Sequence, residues 1–284
     1  MTRQTLRIGD VAIAIDCDET FAVLDPSTRF LVSSDSAPDV ALTVRRGTPA
    51  MPRGDLIFDS GGVWRLHRDD DRNVFSFHSP AFRCDPYKTA TFDAAYTRGD
   101  VVCSDEVQHG ADPLEYPLDE LLVGAILGNG KGVELHGVGI VRNGRGTLFV
   151  GQSGAGKTTT ARLWLAHDPS ITILSDDRIV VRKSNDGFRM YGTPWHGEAE
   201  ICAASDAPLD AIYLLDQAAT TEVRSIDQSD AVARLFACSF PLFYRAESIA
   251  FTIAFLADIV ASNVVRTLSF TPDVSAVRAV FAAS

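Results

Sequence analysis

No Cys-x-x-Cys pair occurs in this chain of 284 residues, and its five cysteines, Cys17, Cys84, Cys103, Cys202 and Cys238, are odd in number and scattered. That pattern suggests neither a zinc site nor a disulfide framework, and a reducing cytoplasm suits it. No apolar run is long enough to cross a bilayer, so no membrane partner is expected. The opening MTRQTLRIGD has no apolar stretch of the signal-peptide kind, so no secretion signal is expected. Basic residues are in deficit: 26 Lys and Arg stand against 37 Asp and Glu, a net charge of −11. Polyanions need a basic surface, so nucleic acid is not an expected partner. Internal repeats and low-complexity tracts are missing as well.

The hydrophobic content that remains is that of an ordinary soluble protein. Residues 1 to about 110 read as β-rich. The runs VAIAID, FAVLD, RFLVSS, VALTVRR, GVWRLHR and NVFSFHS are separated by turn residues such as Asp59-Ser60-Gly61-Gly62. The acidic triplet Asp69-Asp70-Asp71 reads as a solvated hairpin tip, and His67 and His78 as strand residues without chemistry. QHGADPLEYP (108–117) has a linker's composition, and LDELLVGAILGNG reads as a helix stopped by Gly128-Asn129-Gly130. Beyond it, strands such as ITILSDD, DAIYLLD and VRTLSF alternate with helical stretches. That alternation predicts a layered α/β core over residues 113–284, preceded by a smaller β-rich domain over 1–112.

GQSGAGKTTT (151–160) carries the spacing Gly-x-x-x-x-Gly-Lys-Thr. Such a loop wraps backbone N–H groups around phosphate oxygens. A β-prone run, TLFV, enters it, and a helical stretch leaves it. The nucleotide-binding residues are then Gly151, Gln152, Ser153, Gly154, Ala155, Gly156, Lys157, Thr158 and Thr159. Lys157 reaches the β and γ phosphates, and the Thr158 hydroxyl ligates Mg²⁺. No Asn-Lys-x-Asp motif is present to read a guanine base, and no Leu-Ser-Gly-Gly-Gln stretch of ABC ATPases. The chain runs instead into ILSDDR, a strand ending in Asp176-Asp177. Near a phosphate loop, one carboxylate of such a pair can hold the metal and the other can accept a proton from an attacking hydroxyl.

Hairpin geometry places a third residue. Asn143-Gly144 is a strong type I′ turn signal between VELHGVGIV and TLFV. If those two residues form the turn, Arg142 faces Arg145 and His136 faces Gly151; a longer loop shifts the partner to Gln152. Either register aims His136 at the mouth of the loop.

The stretch from His136 to Asp177 resembles the catalytic domain of HPr kinase/phosphorylase and its relatives, with similarity extending over roughly 117–270. The resemblance implies a P-loop HPr-kinase-like catalytic domain using ATP and Mg²⁺. It implies Asp177 as the base, Asp176 in support of the metal, and His136 and Lys157 at the phosphates. Where that family carries Glu-Ile-Arg-Gly-Leu-Gly, this chain reads YGTPWHGEAEI, in which Glu198 or Glu200 can serve the metal. FYRAESIAF resembles the family's Arg-bearing helix start facing the acceptor, which implies Arg245 at a phosphate, with a surface salt bridge as the alternative; Trp195 either packs on a substrate or anchors its loop.

The expectation is an ATP-dependent kinase that phosphorylates a hydroxyl, of serine by resemblance, on a peptide or protein, in a chain able to self-associate. The chain resembles the HPr-kinase-related proteins, some of which act in peptide-maturation systems, more than HPr kinase itself. Two alternatives stay open: a nucleotide-sensing module without turnover, and a small-molecule kinase.

Overall fold

The computed structural model describes residues 1–33 and 37–283. The expected strand RFLVSS reaches Ser34, which lies outside them. The described residues form two compact units, 1–126 and 127–284.

Nine strands make the first unit: β1 (Thr2–Ile8), β2 (Val11–Cys17), β3 (Leu31–Val32), β4 (Val40–Arg46), β5 (Asp55–Asp59), β6 (Trp64–Asp69), β7 (Arg72–Phe77), β8 (Lys88–Phe92) and β9 (Arg98–Cys103). They form one sheet in the order β3-β1-β2-β4-β9-β8-β7-β6-β5. Tight turns set the registers. Gly9 and Asp10 both take positive φ, which pairs Ile8 with Val11. Asp70 and Asp71 tip the β6–β7 hairpin, with Asp69 paired to Arg72. Phe75, Phe92 and Tyr96 pack at the centre of the core, ring against ring. FAVLD does not form a strand: Phe21 makes only an isolated bridge to Ala111. Helix α1 (Leu118–Leu127) falls with this unit, so the division comes one helix later than expected.

The second unit contains β10 (Val133–Arg142), β11 (Arg145–Val150), α2 (Lys157–His167), β12 (Thr172–Ser175), β13 (Arg178–Ser184), β14 (Gly187–Tyr191), β15 (Asp206–Gln217), β16 (Glu222–Ser225), α3 (Gln228–Phe236), α4 (Ala246–Ser262), β17 (Val264–Phe270) and α5 (Ser275–Ala283). Side chains alternate across its sheet. Leu148, Val150, Ile212 and Leu214 pack toward Leu235 of α3 and Leu256 and Ile259 of α4. Phe149, Tyr213 and Leu215 pack toward Trp164 of α2 and Val277 of α5.

The expected α/β fold class, with its P-loop HPr-kinase-like domain, is corrected here. The chain is mostly β, with 39% strand and 21% helix. The reason lies in the connections. Among the described residues, only β11–β15 and β15–β17 pair in parallel within the second sheet. From β12 to β15 the chain runs strand to strand without a helix, so β10–β13, β13–β14 and β14–β15 pair antiparallel. Among the described residues no helix is long and apolar enough to cross a membrane.

Candidate functional site

Strand β11 runs directly into Gly151, and α2 leaves from Gly156. Gly154 and Gly156 take φ of 81° and 101°, a region open to glycine and strained for other residues. A β-carbon on Gly156 would meet the Phe270 ring at 2.7 Å. Gln152, Ser153 and Gly154 are exposed at the turn of the loop, while Ala155, Thr158 and Thr159 are half-buried. The buried Lys157 folds back, and its Nζ donates to the carbonyls of Gly151 and Gln152, both at 3.1 Å. Burial lowers the Lys157 pKa, and the charge of Asp177 opposes that shift.

The Asn143-Gly144 turn has φ of 52° and 74°, as type I′ requires. Arg142 pairs with Arg145, and Gly137 with Val150. One step further, Gly151 N donates to His136 O at 3.2 Å. On its other edge β10 pairs with β13, His136 opposite Arg178, and Gly137 N donates to Asp177 O at 2.9 Å. Strand β10 therefore stands between the glycine loop and the Asp pair.

His136 Nε2 lies 2.8 Å from Asp177 Oδ1. The other oxygen, Oδ2, takes Arg178 Nη1 at 3.1 Å. Arg178 also pairs through Nε with the buried Glu134 at 3.1 Å, and it stacks 3.8 Å from the centre of the Phe240 ring. Burial pushes the Asp177 carboxyl up, but the His136 hydrogen bond and the charges of Arg178, His136 and Lys157 outweigh it and hold the group below its usual range.

Asp176 stands on the other side of the pair. It is buried, and its two oxygens accept Gly197 N and Ala199 N, each at 2.9 Å. It pins the segment that carries Glu198. Glu198 and Glu200 are both exposed, the latter with φ of 54°. Trp195 is buried, and its carbonyl accepts Ser175 Oγ at 3.0 Å, so it anchors its loop. Arg245 donates to Asn129 Oδ1 at 2.9 Å, in the turn before β10. Among the described residues no group of three His, Cys, Asp or Glu side chains is gathered around a metal position. A nucleotide's metal, however, takes much of its coordination from phosphate oxygens and water. Thr158, in the first turn of α2, offers the hydroxyl such an ion uses.

A cavity of about 490 Å³ adjoins the loop, lined by Gly151–Ala155, the end of β15 and Arg234 and Cys238. A family model described as SynChlorMet cassette protein ScmC matches residues 122–278. The chain belongs to the ScmC family. The ScmC match covers the loop, His136, Asp176, Asp177 and the cavity. No curated protein matches the chain.

Sequence reasoning missed Glu134, Arg178, Phe240, Asp216 and Arg234. Glu134 stands two residues before His136 on the same strand face. Asp216 follows four apolar residues, Ile212 to Leu215, at a strand end. Both patterns were available as signals.

Proposed function

We propose that this ScmC-family chain is an ATP-dependent phosphotransferase acting on a hydroxyl of a peptide or protein. One observation carries the reading. Strand β10 holds the His136–Asp177 pair beside a glycine loop whose lysine is buried and turned onto the loop itself. Gly151–Thr159 hold the phosphates, and Lys157 exchanges its two carbonyl partners for phosphate oxygens. Mg²⁺, held by Thr158 and the nucleotide, supplies charge neutralisation when bound. Asp177 orients and deprotonates the acceptor hydroxyl, and His136 fixes the carboxylate that does so.

The family's description as a cassette protein suits an enzyme that works beside other members of a cassette on a shared substrate. The nine-stranded sheet, whose strands all lie before the ScmC match, is the part of the chain we assign to acceptor recognition.

A second reading, nucleotide binding without turnover, is favoured by one specific feature: both Asp177 oxygens are already engaged, by His136 and Arg178. Incubation with γ-labelled ATP and candidate hydroxyl peptides separates the two. Label on the acceptor supports the kinase. Saturable ATP binding with no label and no ADP supports the sensor. Absence of ATP binding removes both.

A further inference from the structure

The cavity beside the loop contains a second cation, Arg234 of α3, and a carboxylate that holds it. Arg234 Nη1 and Nη2 donate to Asp216 Oδ2 and Oδ1 at 3.0 and 2.8 Å, and Nη2 also approaches Leu215 O at 3.4 Å. The end of β15 is built against the loop on both sides of this pair. A β-carbon on Gly151 would lie 3.3 Å from Leu215 Cβ, and Gln217 Nε2 donates to Gly154 O at 2.5 Å. Asp216, between them, faces the cavity with Arg234. Cys238, whose thiol is raised by burial, lines the same cavity.

We infer that this cavity is an outer phosphate subsite for a nucleoside triphosphate, with Arg234 as its cation and Asp216 as a latch that a phosphate displaces. The inference rests on the nucleotide reading above. The chemistry favours exchange. An arginine fork matches phosphate as well as it matches carboxylate, and a polyphosphate brings more charge. The resident pair is weakly held, since its side chains are 36% and 46% exposed and solvent screens them. Lys157 is likewise occupied, by the carbonyls of Gly151 and Gln152. Both cations are thus parked on partners that a phosphate chain can replace.

The latch makes a prediction of sign. Calorimetry on the full chain, with Mg·ATP and separately with metal-free pyrophosphate, compares wild type, Arg234→Gln, Asp216→Asn and the double variant. Arg234→Gln should weaken binding of both probes about tenfold. Asp216→Asn should tighten both severalfold, because Arg234 no longer has to leave a carboxylate. The double variant should match Arg234→Gln alone, since the gain needs the arginine. Far-ultraviolet dichroism and a thermal melt check that each variant is folded.

If Asp216→Asn weakens Mg·ATP, or Arg234→Gln changes neither affinity, the latch is wrong while the nucleotide reading stands. If wild type binds neither probe, the nucleotide reading and the subsite fail together.

Discussion

His136 Nε2 and Asp177 Oδ1 lie 2.8 Å apart, joined by the strand pairing that also brings β10 to the glycine loop. The pair has two separable duties. Asp177→Asn should keep most of the ATP affinity and lose about 10²–10⁴-fold in transfer rate, the range of a general base. His136→Gln should lower the rate less, because the carboxylate survives. Single-turnover transfer measured beside ATP calorimetry checks both. A larger loss in His136→Gln than in Asp177→Asn would make the imidazole the primary acceptor.

Arg178 gives Asp177 a pH signature. Burial works to raise this carboxyl, yet His136, Arg178 and Lys157 together hold it below its usual value. A group with a depressed folded pKa stabilises the fold above its unfolded pKa. That contribution is lost as pH falls through the folded value. The window therefore lies at and below about pH 4. Arg178→Gln removes one lowering charge, so the acid-sensitive contribution should be smaller than in wild type and its loss complete at a higher pH. Asp177→Asn should remove this contribution altogether. Denaturant unfolding between pH 7 and pH 3 measures it, and superimposable wild-type and Arg178→Gln profiles would contradict it.

Asp176 is expected to act through structure. Asparagine offers one carbonyl oxygen in place of two carboxylate oxygens, so either Gly197 N or Ala199 N loses its acceptor. Asp176→Asn should cost about 1–3 kcal/mol of stability and leave the metal dependence of ATP binding unchanged. Unfolding free energies and a Mg²⁺ titration test this. A normal melt with a large shift in Mg²⁺ requirement would return Asp176 to the metal.

Gly156 has no substitute. Its φ of 101° strains any side chain, and a β-carbon would lie 2.7 Å from Phe270 Cζ. Gly156→Ala should cost about 1–3 kcal/mol and reduce ATP affinity, because the loop must shift to relieve the contact. Gly144→Ala, at a φ of 74° with open space around it, should cost only about 1 kcal/mol and leave binding intact. Equal effects at the two glycines would count against this description of the loop.

Much of the site was legible because its signals are local. Asn143-Gly144 dictates a two-residue turn, the turn dictates the register, and the register carries His136 to Gly151. The loop motif likewise contains its own entering strand and leaving helix. The fold class was not legible, because strand direction is invisible in a pattern of apolar residues. ITILSDDRIVVRK and the strands after it, up to β15, follow one another without an intervening helix and pair antiparallel with β10 or with each other, whereas the alternation with helices suggested a layered α/β core. The Glu134–Arg178–Asp177 chain was hidden for a related reason. It needs β10 and β13 side by side, and only the folded sheet brings them together. Arg245 was placed by resemblance alone, and the structure gives its guanidinium to Asn129.

The central claim is that Gly151–Thr159 bind a nucleoside triphosphate through Lys157. Calorimetric titration of the full chain with Mg·ATP, in wild type and in folded Lys157→Ala, tests it most directly. The account predicts saturable single-site binding in wild type, weakened at least about tenfold when the ammonium is removed. A wild type that binds no ATP, or a folded Lys157→Ala that binds it equally well, would contradict it.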